Sequence, residues 1–201
     1  MEVNEMYIDV MREIGTIGSG NAATALSQML GHPIGITVPV AKTLDYSTVA
    51  DDMGGEEAMI VGLLLMLSGD VNGMIMFLLH QEFAHMMLNA LFGKEIKSFE
   101  QIDEMDYSAM KEIASIMAAS YVNAISTMTG LTIKLSTPDI TIDMLGAILN
   151  VPAIYFANVA DKMIYIEGSF SGKGINAPCN ILMLPDMESL DKIMTKLGIE
   201  V

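Results

Sequence analysis

Apolar residues recur at helical spacing from the start of the chain: Tyr7, Val10, Met11, Ile14 and Ile17 form one stripe, and Ala22 to Leu30 continues with good helix formers. The pattern predicts one long helix, ended by Gly31 and Pro33. Ile34, Ile36 and Val38 then alternate with small or polar residues, as in a half-buried strand. Two apolar runs, Ala58 to Leu67 and Met74 to Leu79, flank Ser68-Gly69-Asp70 as the arms of a hairpin would, and Gln81 to Leu91 reads as a closing helix. The same order follows again. A second long helix is predicted from about Ile102 to Met128, stopped at Gly130 and followed by Leu131, Ile133 and Leu135 before Pro138. Strands at Met163 to Glu167 and Asn180 to Leu184 precede a closing helix from Met187 to Leu197. Met144 to Val151 reads as an additional short helix whose end is blurred by Pro152, and Ser98 to Glu104 is the joint between the two series.

The two series are copies of one unit. Sliding the sequence by 99 positions lays Glu13-Ile14-Gly15-Thr16-Ile17 over Glu112-Ile113-Ala114-Ser115-Ile116. The match continues through Ala25/Ala124, Ser27/Ser126, Met29/Met128, Gly31/Gly130, Ile34/Ile133 and Pro39/Pro138 without a slip. Helices and hairpin strands alternating in two related halves predict an α+β fold with pseudo-twofold symmetry. The expectation is one domain spanning 1–201, with repeats at approximately 1–99 and 100–201.

Composition narrows the possible partners. With 52% hydrophobic residues the chain can bury a sizeable core. Its longest apolar run is far short of the roughly 20 residues of a membrane-spanning helix, and the acidic start Met1-Glu2-Val3-Asn4-Glu5 is unlike a secretory signal. Neither membrane insertion nor export is expected, and the cytoplasm is the expected location. The single cysteine, Cys179, supplies neither an internal disulfide nor a thiolate metal site. A net charge of −15 repels nucleic-acid phosphates and anionic lipid, and suits either simple solubility or a partner with a basic face. The 20 methionines read first as adaptable core filler. His32, His80 and His85 stand in unrelated contexts and read as structural.

Chemistry is suggested by the face opposite the apolar stripe, because positions three and four apart lie together on a helix. Asp9, Glu13 and Thr16 share that face, and Ser108, Glu112 and Ser115 are their equivalents. In both units 22 residues separate the last member from a proline. Surface carboxylates are ordinarily just a solvated face, but recurrence at the same point of two repeats favours docking against a basic surface. Gly15, Gly18 and Gly20 do not follow the G-x-G-x-x-G order of a nucleotide loop and have no strand before them. Three glycines within six helical residues point instead to close approach of another helix or a partner.

Over essentially the whole chain these features resemble the CheC branch of the CheC/CheX/FliY chemotaxis phosphatases. The stretch Glu13-Ile14-Gly15-Thr16-Ile17-Gly18-Ser19-Gly20-Asn21-Ala22-Ala23-Thr24 is very similar to that family's signature. The resemblance implies hydrolysis of the aspartyl phosphate on a CheY-type response regulator, with magnesium carried by the regulator and no cofactor on the phosphatase. It also implies a second partner, the receptor deamidase CheD. In the family pattern each site holds Asp or Ser, Glu and Asn, the Glu gripping a regulator lysine and the Asn orienting the attacking water. Asp9, Ser108, Glu13, Glu112, Pro39 and Pro138 fit, but Thr16 and Ser115 stand where asparagine is expected.

That departure leaves two readings open. A hydroxyl has less reach than an amide, which offers donor and acceptor together. Thr16 and Ser115 then either place water in part or turn back onto the carbonyls of Arg12 and Lys111 as inert helix residues. The first outcome is a weakened phosphatase with Glu13, Thr16, Glu112 and Ser115 as its catalytic residues and Asp9, Ser108, Gly15, Gly18 and Gly20 at the partner contact. The second is a binding module that sequesters the phosphorylated regulator or regulates CheD. Asn21 and Asn123 follow their glutamates by eight and eleven residues, two to three turns, and are weak substitutes for the missing amides.

Overall fold

The computed structural model describes residues 5–37, 39–44, 46–156, 163–172 and 175–199. Its elements run α1 (Glu5–Leu30), β1 (Gly35–Ile36), β2 (Val40–Leu44), α2 (Tyr46–Asp52), β3 (Met59–Gly69), β4 (Gly73–Leu79), α3 (Gln81–Phe92), α4 (Glu104–Thr129), β5 (Ile133–Leu135), β6 (Asp139–Met144), α5 (Leu145–Phe156), β7 (Met163–Gly172), β8 (Ile175–Pro185) and α6 (Met187–Lys196). A short 3₁₀ turn at Phe99–Gln101 occupies the joint between the halves.

The predicted long helices are both present, and their ends repeat as the sequence does. Gly31 and Gly130, related by the same 99-residue offset, have φ of 69° and 72°, the left-handed conformation that ends a helix cheaply only at glycine. The start of α4 lies at Glu104 and not at Ile102, because Asp103 and Asp106 close a capping box there. The Asp103 carboxylate accepts the Asp106 N–H at 3.0 Å, and Asp106 accepts the Asp103 N–H at 3.1 Å. Asp106 is fully buried, and Lys94 Nζ at 2.7 Å neutralises it while also reaching Asp103 at 3.1 Å.

One mixed-origin sheet of eight strands runs through the molecule in the order β1-β7-β8-β4-β3-β5, with β2 beside β7 and β6 beside β3. Every strand pairing among the described residues is antiparallel. The central pair β4/β8 comes one strand from each half, aligned from Gly73 opposite Pro185 to Leu79 opposite Cys179. The outer strands are exchanged: β1 and β2 of the first half pair with β7 of the second, and β5 and β6 of the second pair with β3 of the first. The pseudo-twofold arrangement of repeats is therefore an interleaved one.

Helices α1, α3, α4 and α6 cover one face of the sheet around Met11, Ile14, Leu26, Phe77, Phe83, Ile113 and Met117. On the other face α2 and α5 bury Val49, Ile148 and Leu149 against Ile60, Met76 and Leu182. Strand β4 is buried along its whole length, which explains why Met74 to Leu79 is an unbroken apolar run and not an alternating one. Each fully buried Leu or Ile in these two layers contributes about 1.5–3 kcal/mol.

Four expectations are revised. The strand predicted over Ile34, Ile36 and Val38 is reduced to Gly35–Ile36, and Val38 lies outside the described residues. Strands β2 and β6 and helix α2 were not predicted, since their signal is short and their strand partners lie in the other half of the chain. Helix α5 continues through Pro152 to Phe156. The 99-residue register also ends after the prolines: β7 begins 104 residues after β3, because the second copy of the intervening helix is longer.

Candidate functional site

The site sits on the outer faces of α1 and α4. Their inner faces are fixed by the apolar stripe: Met11, Ile14 and Leu26 of α1, and Met110, Ile113 and Met117 of α4, are buried against the sheet. With 3.6 residues per turn this leaves Asp9, Glu13 and Thr16 on one solvent-facing strip and Ser108, Glu112 and Ser115 on the other. All are exposed except Ser115, which is half-buried.

The side chains are held differently. Thr16 Oγ1 donates to the carbonyl of Arg12 at 2.9 Å, and Ser115 Oγ donates to the carbonyl of Lys111 at 3.0 Å. Both hydroxyl protons are thus spent on their own helices, leaving an oxygen that can accept from a water but has no proton to offer one. Ser108 Oγ likewise donates to the Glu104 carbonyl at 3.1 Å. Asp9 forms an ion pair with Arg12 at 2.7 Å, one turn along the same helix. Glu13 and Glu112 have no ion pair or side-chain hydrogen bond among the described residues. They are the two carboxylates of the strips still available to an external cation.

The glycines separate into different roles. Gly18 is buried against α4: a Cβ there would stand 2.7 Å from the Tyr121 ring and 3.0 Å from the Tyr121 Cα, so only glycine lets the two helices meet at this point. Ser19 beside it hydrogen-bonds Tyr121, whose hydroxyl burial holds in its protonated form by pushing its pKa upward. Gly15 is buried too, under Pro39 and Ile166, so Pro39 ties the start of β2 to the helix directly behind Glu13. Both are covered by this chain itself and are reached by no partner directly. Gly20 has nothing within 4 Å of an added Cβ and is the one of the three with open space beside it.

Asn21 and Asn123 are exposed on the same helices. At about 1.5 Å rise per residue they stand roughly 12 Å and 16 Å along the axis from their glutamates, out of reach of a shared water. Among the described residues no group of His, Cys, Asp and Glu is arranged to hold a metal. Cys179 is buried in the core, and burial pushes its thiol pKa up, away from reactivity. No helix among the described residues is long and apolar enough to cross a membrane. The Asp9–Arg12 pair and the unpaired state of the glutamates were not read from the sequence; the i, i+3 spacing of Asp9 and Arg12 was the available signal.

This architecture defines a class. The structure of FliY from Thermotoga maritima, 23% identical, superposes with a TM-score of 0.78 over 98% of both chains. The FliM middle domain from H. pylori, 12% identical, matches with a TM-score of 0.70 over 96% of this chain and 99% of that one. The sequence comparison is more specific. The CheC-like family profile matches twice, at residues 6–42 and 105–142, the same two segments that carry the strips. The CheY-P phosphatase CheC of Bacillus subtilis is 30% identical over 98% of this chain and 96% of its own length. The flagellar motor switch phosphatase FliY of the same organism is 26% identical over 68% of this chain and 36% of its own length. The chain belongs to the CheC-like family.

Proposed function

We propose that this protein docks a phosphorylated, magnesium-loaded CheY-type response regulator on α1 or α4 and hydrolyses its aspartyl phosphate slowly. The observation that carries the reading is the twofold recurrence of an exposed, unpaired glutamate, Glu13 and Glu112, on equivalent helix faces. Each supplies a carboxylate for a regulator cation such as a lysine ammonium. Proximity then brings the acyl phosphate against Thr16 or Ser115, with Asp9 or Ser108 one turn away and Gly20 further along α1. Magnesium travels on the regulator, and the acyl-phosphate chemistry is completed by the two proteins together.

A second reading is favoured by the two hydroxyl bonds. With their protons committed to Arg12 and Lys111, Thr16 and Ser115 can only accept from a water, and a site that holds its regulator without turning it over becomes a sequestering module. The same module could act on the receptor deamidase CheD. Either activity belongs in the cytoplasm, where the regulator is found.

The test follows loss of acyl phosphate from a magnesium-loaded CheY homologue in the presence of the native chain, Glu13→Ala/Glu112→Ala, and Thr16→Asn/Ser115→Asn. Acceleration by the native chain that disappears in the glutamate variant supports the phosphatase. No acceleration until the asparagines are introduced supports the binding module. No acceleration and no binding with any variant overturns both.

A further inference from the structure

Among the described residues nine large apolar side chains are exposed, and Met6 and Met105 are the one pair of them related by the 99-residue offset. They are 50% and 63% exposed, and each is the second residue of its long helix. Scattered exposed apolar residues need no explanation. A matched pair in two copies of a docking face does, especially as most of the residues around the two strips differ between the copies.

The helix geometry places each methionine in the strip already described. Met6, Asp9, Glu13 and Thr16, and likewise Met105, Ser108, Glu112 and Ser115, fall within an arc of about 80° and extend over roughly 15 Å of helix. Each face thus has an apolar end and a carboxylate about 10 Å apart along the axis. A methionine offers a soft, adaptable contact that desolvates well, whereas an exposed ion pair alone gives little affinity. The net charge of −15 repels acidic surfaces, so the surface that fits carries a cation and an apolar side chain at that separation.

We propose that Met6 and Met105 are the apolar contacts of the two docking faces, and that the regulator places an apolar side chain about 10 Å from the cation taken by Glu13 or Glu112. This rests on the docking reading above.

The test measures binding of a CheY-type regulator, held in its phosphorylated form by beryllofluoride and magnesium, to the native chain and to three double variants. Met6→Ala/Met105→Ala weakens binding about tenfold, while Met6→Leu/Met105→Leu stays within about twofold of native. In parallel, brief peroxide treatment followed by mass spectrometry reads sulfoxide formation. The bound regulator protects Met6 and Met105 but not Met59 or Met144, which are exposed to similar extents elsewhere. Unchanged affinity of the alanine variant, or no selective protection, overturns the proposal if Glu13→Ala/Glu112→Ala still abolishes binding, and the docking reading stands. Binding that survives the glutamate variant, or is absent from the native chain, overturns the docking reading and this proposal with it.

Discussion

Helices α1 and α4 present equivalent faces on unequal supports. In α1 the helix–helix contact uses Gly18, and the buried Tyr121 of α4 fills the space. The equivalent position in α4 is Met117, itself fully buried. At the outer surface Asp9 is tied to Arg12 in α1, whereas Ser108 bonds its own helix in α4 and Lys111 has no ion pair among the described residues. The start of α4 is further fixed by Asp103, Asp106 and Lys94. Two copies that began alike have kept the glutamate that reaches outward and diverged in what holds the helix. If the proposed docking holds, the partner constrains the outer strip, while packing only requires that each pair of facing positions sum to a workable volume.

The largest effect expected on that comparison is catalytic. Introducing Thr16→Asn in one variant and Ser115→Asn in another increases dephosphorylation of the regulator by roughly 10²-fold at each site, since the amide frees both a donor and an acceptor for water. Single-turnover decay of labelled regulator measures this, and unequal gains rank the two faces.

Stability comes next. Met117→Ala leaves a hole at the centre of α4 and costs about 2–5 kcal/mol, whereas Gly18→Ala forces a methyl into the Tyr121 ring and backbone and costs about 1–3 kcal/mol despite its better helix propensity. Urea unfolding at constant pH gives both values. A neutral Gly18→Ala would mean that α1 and α4 can slide apart without penalty.

Acid then acts on one half more than on the other. The Asp106 N–H and Lys94 hold the Asp103 carboxyl below its ordinary value of 3.8. Its folded pKa is lower than its unfolded one, so its stabilisation is complete above the unfolded value and is lost as pH falls through the folded value. Asp103→Asn removes that dependence, and the native chain and the variant converge in thermal stability as pH falls below about 3.8. The smallest effect is at the exposed pair: Asp9→Ala changes stability by less than about 0.5 kcal/mol. Its readout is ionic-strength dependence of regulator binding to α1, which Arg12 then repels more strongly.

The outline of the fold was largely visible beforehand, for specific reasons. Both long helices, the hairpin around Ser68-Gly69-Asp70 and the closing helices carry strong periodicity or unbroken apolar runs, which are local signals. The strips were visible because repetition singled out Glu13 and Glu112 from an abundance of surface carboxylates. Pro152 misled because proline ordinarily ends or kinks a helix, yet α5 carries it as its eighth residue, inside the helix and past the tolerated first turn. Gly15 and Gly18 make the expected close approach and Gly20 does not, and which groups fill the space depended on where Tyr121, Pro39 and Ile166 arrive.

The amino-acid sequence by itself determined the repeat, the helical faces and the hydroxyls at Thr16 and Ser115, because each is written in spacing and residue type along one stretch of chain. Only the tertiary structure decided that β2 pairs with β7 and β6 with β3, that Gly18 belongs to Tyr121, and that Glu13 and Glu112 are left unpaired. Those outcomes join residues up to more than 100 positions apart, and no local pattern encodes which distant partner arrives.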